Sequence, residues 1–332
     1  MASFVSSEGL EVPRLLGRVS GPRPGALLIA VGGIHGNEPA GVLAIQQVLG
    51  LLESRIPPVH GTFLGLAGNL AALAAGRRFL DRDLNRIWDD PPAGADAEAR
   101  EREALERILR TELERHDGPA LVIDCHTSSG PCPPFSLPWP GPGLALKVAR
   151  TLGAPLITGF ERHLEGLLLG WVTRHGYPAM AVELGAPVDE AAAVLAEALL
   201  RALGALGITG PAGPSRETLP GVPEGVPGEL EVAHRHRIPP GASFTMLPGF
   251  ATFDRVTAGQ PLAHQNGELV RSPLDGWILL PKYQPEGEDG FFVATVPDRP
   301  PSHDRDGTIP GSRRRTPPGR AHPFRNTPRH RQ

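Results

Sequence analysis

The sequence predicts an α/β fold: a three-layer domain with a central mixed sheet, followed by a small all-β domain. Three observations carry this. Short apolar runs alternate with longer amphipathic ones up to about residue 210. A stretch crowded with glycine and proline, "GPAGPSRETLPGVPEGVPG", then breaks any regular element. Beyond it come short β-like runs with turn residues between them. The expected organisation is 1–210 for the α/β domain, 211–228 for the linker, 229–297 for the β domain and 298–332 for a tail.

In chain order, "ALLIAV" (26–31) is a candidate central strand, and "AGVLAIQQVLGLLES" (40–54) has the spacing of an amphipathic helix. "TFLGLAG" (62–68) is the next strand. "ADAEAREREALERILRTELERH" (95–116) is so heavily charged that it reads as a surface helix. "ALVIDC" (120–125) and "PAMAVEL" (178–184) are further strands, with helices in "GLALKVARTLG", "LEGLLLGWVTRHG" and "VDEAAAVLAEALLRALGALG". After the linker, "ELEVAHRHRI", "SFTML", "FATFDRV", "ELVRSPLDGWILLP" and "GFFVATV" read as strands. His234 and His236 then share one face and are expected at an exposed edge. From Pro297 onward proline and arginine dominate, and apolar residues are too scarce to build a core.

A chain of 332 residues with 40% hydrophobic content can bury a core. Its net charge of -3 makes no overall case for nucleic acid. The nine arginines after residue 298, set against Asp304 and Asp306, read as a dispensable tail before they read as a nucleic-acid arm. Cys125 and Cys132 are too few for a disulfide framework, which fits a reducing cytoplasm. The first residues lack a basic and then apolar leader, and no run is long enough to span a membrane. Lysine is confined to Lys147 and Lys282, so an anionic ligand would be gripped chiefly by arginine. The sequence leaves a homo-oligomer open.

Candidate chemistry gathers at strand ends, where open α/β sheets bind ligands. "VGGIHGNEPAG" puts His35 and Glu38 just after the first strand. Asn69 follows "FLGLAG", His126 follows "LVIDC", and Glu183 closes "PAMAVE". Two histidines and a carboxylate are the ligand set of a catalytic zinc site with a position left for water. His35, Glu38 and His126 would hold one zinc ion per chain, and Glu183 would be the general base that takes a proton from water. Asp124, two residues before His126, is placed to orient it, and Cys125 points the opposite way into the core. One histidine after a strand is ordinarily a structural residue. Several such groups converging on one rim reverse that reading.

"GGIHGNE", "AGNLAALAAGRRFLDRDLNRIW", "DCHTSS" and "AVELG", in this order, resemble the succinylglutamate desuccinylase and aspartoacylase family, relatives of the zinc carboxypeptidases. The likeness runs over about residues 26 to 295. It implies a zinc-carboxypeptidase-like catalytic domain and hydrolysis of an N-acyl amino acid, N-succinylglutamate or N-acetylaspartate-like. His35, Glu38 and His126 match its zinc ligands and Glu183 its general base. Arg78 matches the arginine that helps polarise the scissile carbonyl. Asn85 and Arg86 match the pair that holds the substrate carboxylate, and Tyr283 matches a substrate-contacting tyrosine. A further family arginine falls at Thr173 here, with Arg174 beside it.

The nearest rival is a metallocarboxypeptidase, since a peptide's last residue also presents an amide beside a carboxylate. "RRFLDRDLNR" and a second domain placed to close the site favour the deacylase. A non-catalytic ligand-binding member of the fold would be expected to have lost a ligand. None is missing.

Overall fold

The computed structural model describes residues 9–54, 59–91, 96–128, 130–210, 218–284 and 286–298. Most of the expected tail, and residues 211–217 of the expected linker, lie outside these. The first half runs β1 (Leu15–Ser20), β2 (Leu27–Gly32), α1 (Ala40–Glu53), β3 (Thr62–Ala67), α2 (Leu70–Ala75), α3 (Ala97–Arg115) and β4 (Ala120–Thr127). It continues through β5 (Cys132–Pro138), α4 (Leu144–Ala149), β6 (Leu156–Thr158), α5 (Leu168–Arg174), β7 (Ala179–Gly185) and α6 (Val188–Ala205). The later strands are β8 (Glu229–Arg237), β9 (Phe244–Met246), β10 (Arg255–Val256), β11 (Pro261–Gln265), β12 (Glu268–Arg271), β13 (Gly276–Leu279) and β14 (Asp289–Thr295).

Eleven strands form one mixed sheet in the order β1-β3-β2-β4-β7-β5-β6-β8-β14-β13-β10. Its centre, β3-β2-β4-β7, is parallel. Both faces there are covered, so the strands read as continuous apolar runs rather than alternating ones. Leu28 and Ala30 of β2 pack with α1, α4 and α6 on one side. Leu27, Ile29 and Val31 pack with α3 and α5 on the other. This is the three-layer arrangement expected. Strands after residue 229 extend the same sheet through β8 and β14, while β12-β11-β9 form a separate antiparallel sheet.

Local chemistry explains three departures from the sequence expectations. β5, "CPPFSLP", contains Pro133, Pro134 and Pro138, which argue against a strand. Yet it pairs antiparallel with β7, and the register shifts between Cys132 and Phe135, so the first two prolines occupy a bulge where no ladder donor is needed. "FATFDRV" yields only the two residues of β10, because Phe253 has a left-handed φ of 77°. His234 and His236 lie on β8 beyond its pairing with β6, which ends at Glu231, and are half-buried rather than exposed, His236 stacking on Phe291 with ring centroids 5.0 Å apart.

Two glycines shape the turn after β2. A Cβ on Gly32 would sit 2.5 Å from the Gly41 carbonyl carbon, so the strand end and the start of α1 approach more closely than any other residue permits. Gly33 follows with φ 74°, and the chain then turns over His35 to Glu38, whose N–H donates to the His35 carbonyl at 3.1 Å. Among the described residues no helix is long and apolar enough to cross a membrane.

Candidate metal centre and active site

Adjacent parallel strands deliver the cluster. His35 and Glu38 come from the turn after β2, His126 from the carboxyl end of β4, and Glu183 from that of β7, where it is the register partner of His126. His35 Nδ1 lies 2.8 Å from Glu38 Oε1, and His126 Nδ1 lies 3.0 Å from Glu38 Oε2. All three residues are buried, and the Thr127 N–H also donates to Glu38 Oε2 at 2.9 Å. The far nitrogen of each imidazole is held by an aspartate: His35 Nε2 is 3.0 Å from Asp83 Oδ1, and His126 Nε2 is 2.8 Å from Asp124 Oδ2. Both rings therefore aim Nδ1 inward with the opposite nitrogen fixed by a carboxylate, the support that metal-binding histidines ordinarily have. The three side chains offer ligand atoms within 4.8 Å of one another. Two nitrogens and a carboxylate, buried, convergent and anchored behind, fit a zinc-type divalent ion.

The charges answer each other. Burial works against ionisation of Glu38, but His35 and His126 outweigh it and hold the carboxyl well below its usual range. Burial likewise opposes charge on His126, yet Asp124 and Glu38 hold its proton well above the usual histidine range. Asp83 is kept far down by His35 and Arg78 against the same desolvation. Glu183 goes the other way. Burial pushes its carboxyl up to about 8, with Glu38 and Asp124 adding to the shift and His126 and Arg78 opposing it. A carboxyl so placed exchanges its proton near neutrality.

Arg78, Asn85 and Arg86 also line the cavity, of about 150 Å³, in which this cluster sits. Arg78 reaches Asp83 at 3.1 Å and Glu38 at 3.4 Å, and its buried Nε makes no hydrogen bond. Asn85 accepts from the Leu168 N–H at 2.9 Å and sets Nδ2 3.3 Å from His126. Arg86 is already engaged. It donates to Asp289 at 2.7 Å, lies 3.5 Å from Glu288, and gives Nη1 to the Asn85 carbonyl at 2.8 Å. The segment is packed, as "NRIW" suggests, with Ile87 and Trp88 buried.

Other residues fall elsewhere. Tyr283 does not line the cavity, although Lys282 and Gln284 beside it do. Its hydroxyl is taken up by the main chain, accepting from the Phe250 N–H at 3.1 Å and facing the Leu247 and Phe250 carbonyls at 3.0 Å. Arg174 is exposed and paired with Asp89. Asn69 caps α2 through the Ala72 N–H and donates to Glu98 at 3.0 Å, so it serves the scaffold. Asp83 does not stand out in the sequence, although the segment that carries it does. Nor does Glu98, a fully buried carboxylate on α3 that accepts from the N–H groups of Leu80, Asp81 and Arg82 at 2.7, 3.0 and 3.1 Å. Glu98 thereby pins the loop that carries Arg78, Asp83, Asn85 and Arg86. Its place on a highly charged helix gave no sign of this.

Comparison with known proteins follows the same lines. The Succinylglutamate desuccinylase/Aspartoacylase catalytic domain profile matches residues 24–206. A succinylglutamate desuccinylase of Pseudomonas paraeruginosa is 31% identical over 105 residues, 31% of this chain and 32% of that protein. One from Erwinia tasmaniensis is 29% identical over 182 residues, 49% of this chain and 52% of the relative. The matched segment thus spans about a third of the first relative and about half of the second. Among solved structures, a succinylglutamate desuccinylase from Vibrio cholerae superposes with a TM-score of 0.62 at 17% identity, covering 82% of this chain and 81% of that one. The product-bound ectoine utilization protein EutE (DoeB) from Ruegeria pomeroyi gives 0.61 at 21% identity, covering 84% and 87%. At these identities the superpositions speak for the fold.

Proposed function

The chain belongs to the succinylglutamate desuccinylase/aspartoacylase family, and from that premise we propose that it is a zinc-dependent hydrolase that cleaves the amide of an N-acyl amino acid. The observation that carries this is the convergence of both imidazole Nδ1 atoms on Glu38, beside the Glu183 carboxyl on β7, whose proton affinity burial raises. His35, Glu38 and His126 would hold the ion, which when bound supplies Lewis acidity to water and to the amide carbonyl.

The chain's own groups do the rest. Asp83 and Asp124 accept from Nε2–H of His35 and His126, which fixes each ring and leaves Nδ1 to face the ion. Glu183 takes a proton from the attacking water and returns it to the leaving amine, a double task suited to a carboxyl raised by burial. Arg78 has a buried Nε–H without a partner, available to the carbonyl oxygen as negative charge develops there. Asn85 and Arg86 form the seat for the substrate carboxylate. Because Arg86 already has Asp289 at 2.7 Å, the incoming carboxylate exchanges with the more distant Glu288.

The test is amine release from a panel of N-acyl amino acids by zinc-loaded protein, with Glu183→Gln as the blank. Release absent in the blank, with short peptides uncut, is the expected result. Cleavage of the peptides instead would replace the proposal with a carboxypeptidase.

A further inference from the structure

Resting on the deacylase reading above, we infer that the substrate carries a single carboxylate and an apolar remainder, rather than the several carboxylates of an N-acylated acidic amino acid. The cavity has two chemically distinct linings. Leu137, Phe160, Leu164, Leu167, Leu280 and Phe292 line it and belong to one packed apolar cluster. Anything that fills this part gives up water without gaining a polar partner, which favours methylene and ring carbon over carboxylate.

The charged lining has little to offer a second carboxylate. Among the described residues the cavity's cations are Arg78, Arg86 and Lys282. Asp83 answers Arg78 at 3.1 Å, Glu38 being assigned to the metal, and Asp289 and Glu288 face Arg86. Arg235 and Arg237 draw on the same acids, Arg235 at 2.5 Å to Asp289 and 2.8 Å to Glu288 and Arg237 at 2.8 Å to Glu288, so three guanidiniums share two carboxylates and the cluster has one positive charge to spare, enough for the single carboxylate seated at Arg86. Lys282 lies 5.9 Å from the Phe244 ring centroid, on a stretch of the lining that also includes Glu286 and Glu288. What remains are two buried N–H groups without hydrogen bonds, Nε of Arg78 and Nε of Arg86. One suits the scissile carbonyl, and the other suits one carboxylate. A further substrate carboxylate would enter a cavity already rich in acids with no unspent guanidinium to meet it, and an unpaired buried charge is strongly disfavoured. The sequence resemblance implies an acidic substrate; the pairing of these arginines points to a neutral one.

The test has two arms. Turnover by zinc-loaded wild type is compared for N-acetyl-leucine, N-acetyl-methionine, N-acetyl-aspartate and N-succinylglutamate. Binding of the same four compounds to zinc-loaded Glu183→Gln is measured by calorimetry. The inference expects kcat/KM for the neutral pair to exceed that for the acidic pair by at least about 100-fold, in line with the discrimination that unpaired buried groups produce, and the binding order to agree. Preference for the acidic pair in either arm overturns the inference and leaves the deacylase standing. If no compound is cleaved or bound, both fall. Glu288→Gln, a change at a partly exposed side chain that removes the more distant of the two acids facing Arg86, should narrow the gap by about 10-fold. No narrowing there would remove the role given to the arginine pairing.

Discussion

The two linings of the cavity differ in how they are made. The charged floor, His35, Glu38 and His126 with Asp83 and Asp124 behind them, is built at the ends of parallel strands and in the "RRFLDRDLNR" loop, each group answered by another. The apolar wall is drawn from β5, the turn at Phe160, the Leu164–Leu167 loop and β14, which lie far apart in the chain. On the proposed reading the floor polarises the amide and the wall selects which amide arrives, so that chemistry would be concentrated in short motifs and selectivity spread over the packing.

Changes to the floor should therefore act on rate and metal, and the largest effect is expected at Glu183. Glu183→Gln should lower kcat by about 10² to 10⁴, the usual worth of a general base, while zinc content is unchanged. Loss of zinc together with rate would instead make Glu183 part of the metal's support. Next comes Asp124→Asn. With the proton acceptor of His126 replaced, zinc affinity should fall about 10- to 100-fold in competition with a chelator. Affinity equal to wild type would mean that the aspartate does not steer the ring.

Glu98→Ala probes the loop that joins floor to scaffold. It strips the acceptor from the N–H groups of Leu80, Asp81 and Arg82 and from buried Asn69, and should destabilise the protein by about 1–3 kcal/mol in denaturant titration. Glu98→Gln, which keeps an acceptor oxygen, should recover part of the loss. The remaining prediction concerns the pH dependence of stability. A carboxyl raised in the folded state binds its proton more tightly there than in the unfolded chain. The stability it permits is complete below the ordinary carboxylate range and is lost as pH rises through about 8. Metal-free Glu183→Gln should thus melt above metal-free wild type at pH 8, and the difference should vanish near pH 4. A difference that does not change with pH would contradict the raised carboxyl.

The floor was largely legible in the sequence because its residues sit next to strong local signals: a double glycine after an apolar run for His35 and Glu38, a strand end for His126, another for Glu183. Asp83 and Glu98 were not, since an acidic residue in a charged segment looks solvated until the fold buries it. β5 was hidden by prolines that a bulge accommodates. Arg86 was legible as a cation but not as one already paired, because its partner Asp289 lies 203 residues along the chain. Tyr283 was drawn from a loose match in the later segment, and its hydroxyl is spent on the main chain there.

The most direct test of the central claim is a zinc titration of chelator-stripped protein, followed by amine release from an N-acyl amino acid. If His35, Glu38 and His126 form the working centre, activity should rise linearly and saturate at one ion per chain, and His126→Ala should remain inactive at the same zinc concentration. Full activity in the stripped protein, or in His126→Ala, would contradict the account.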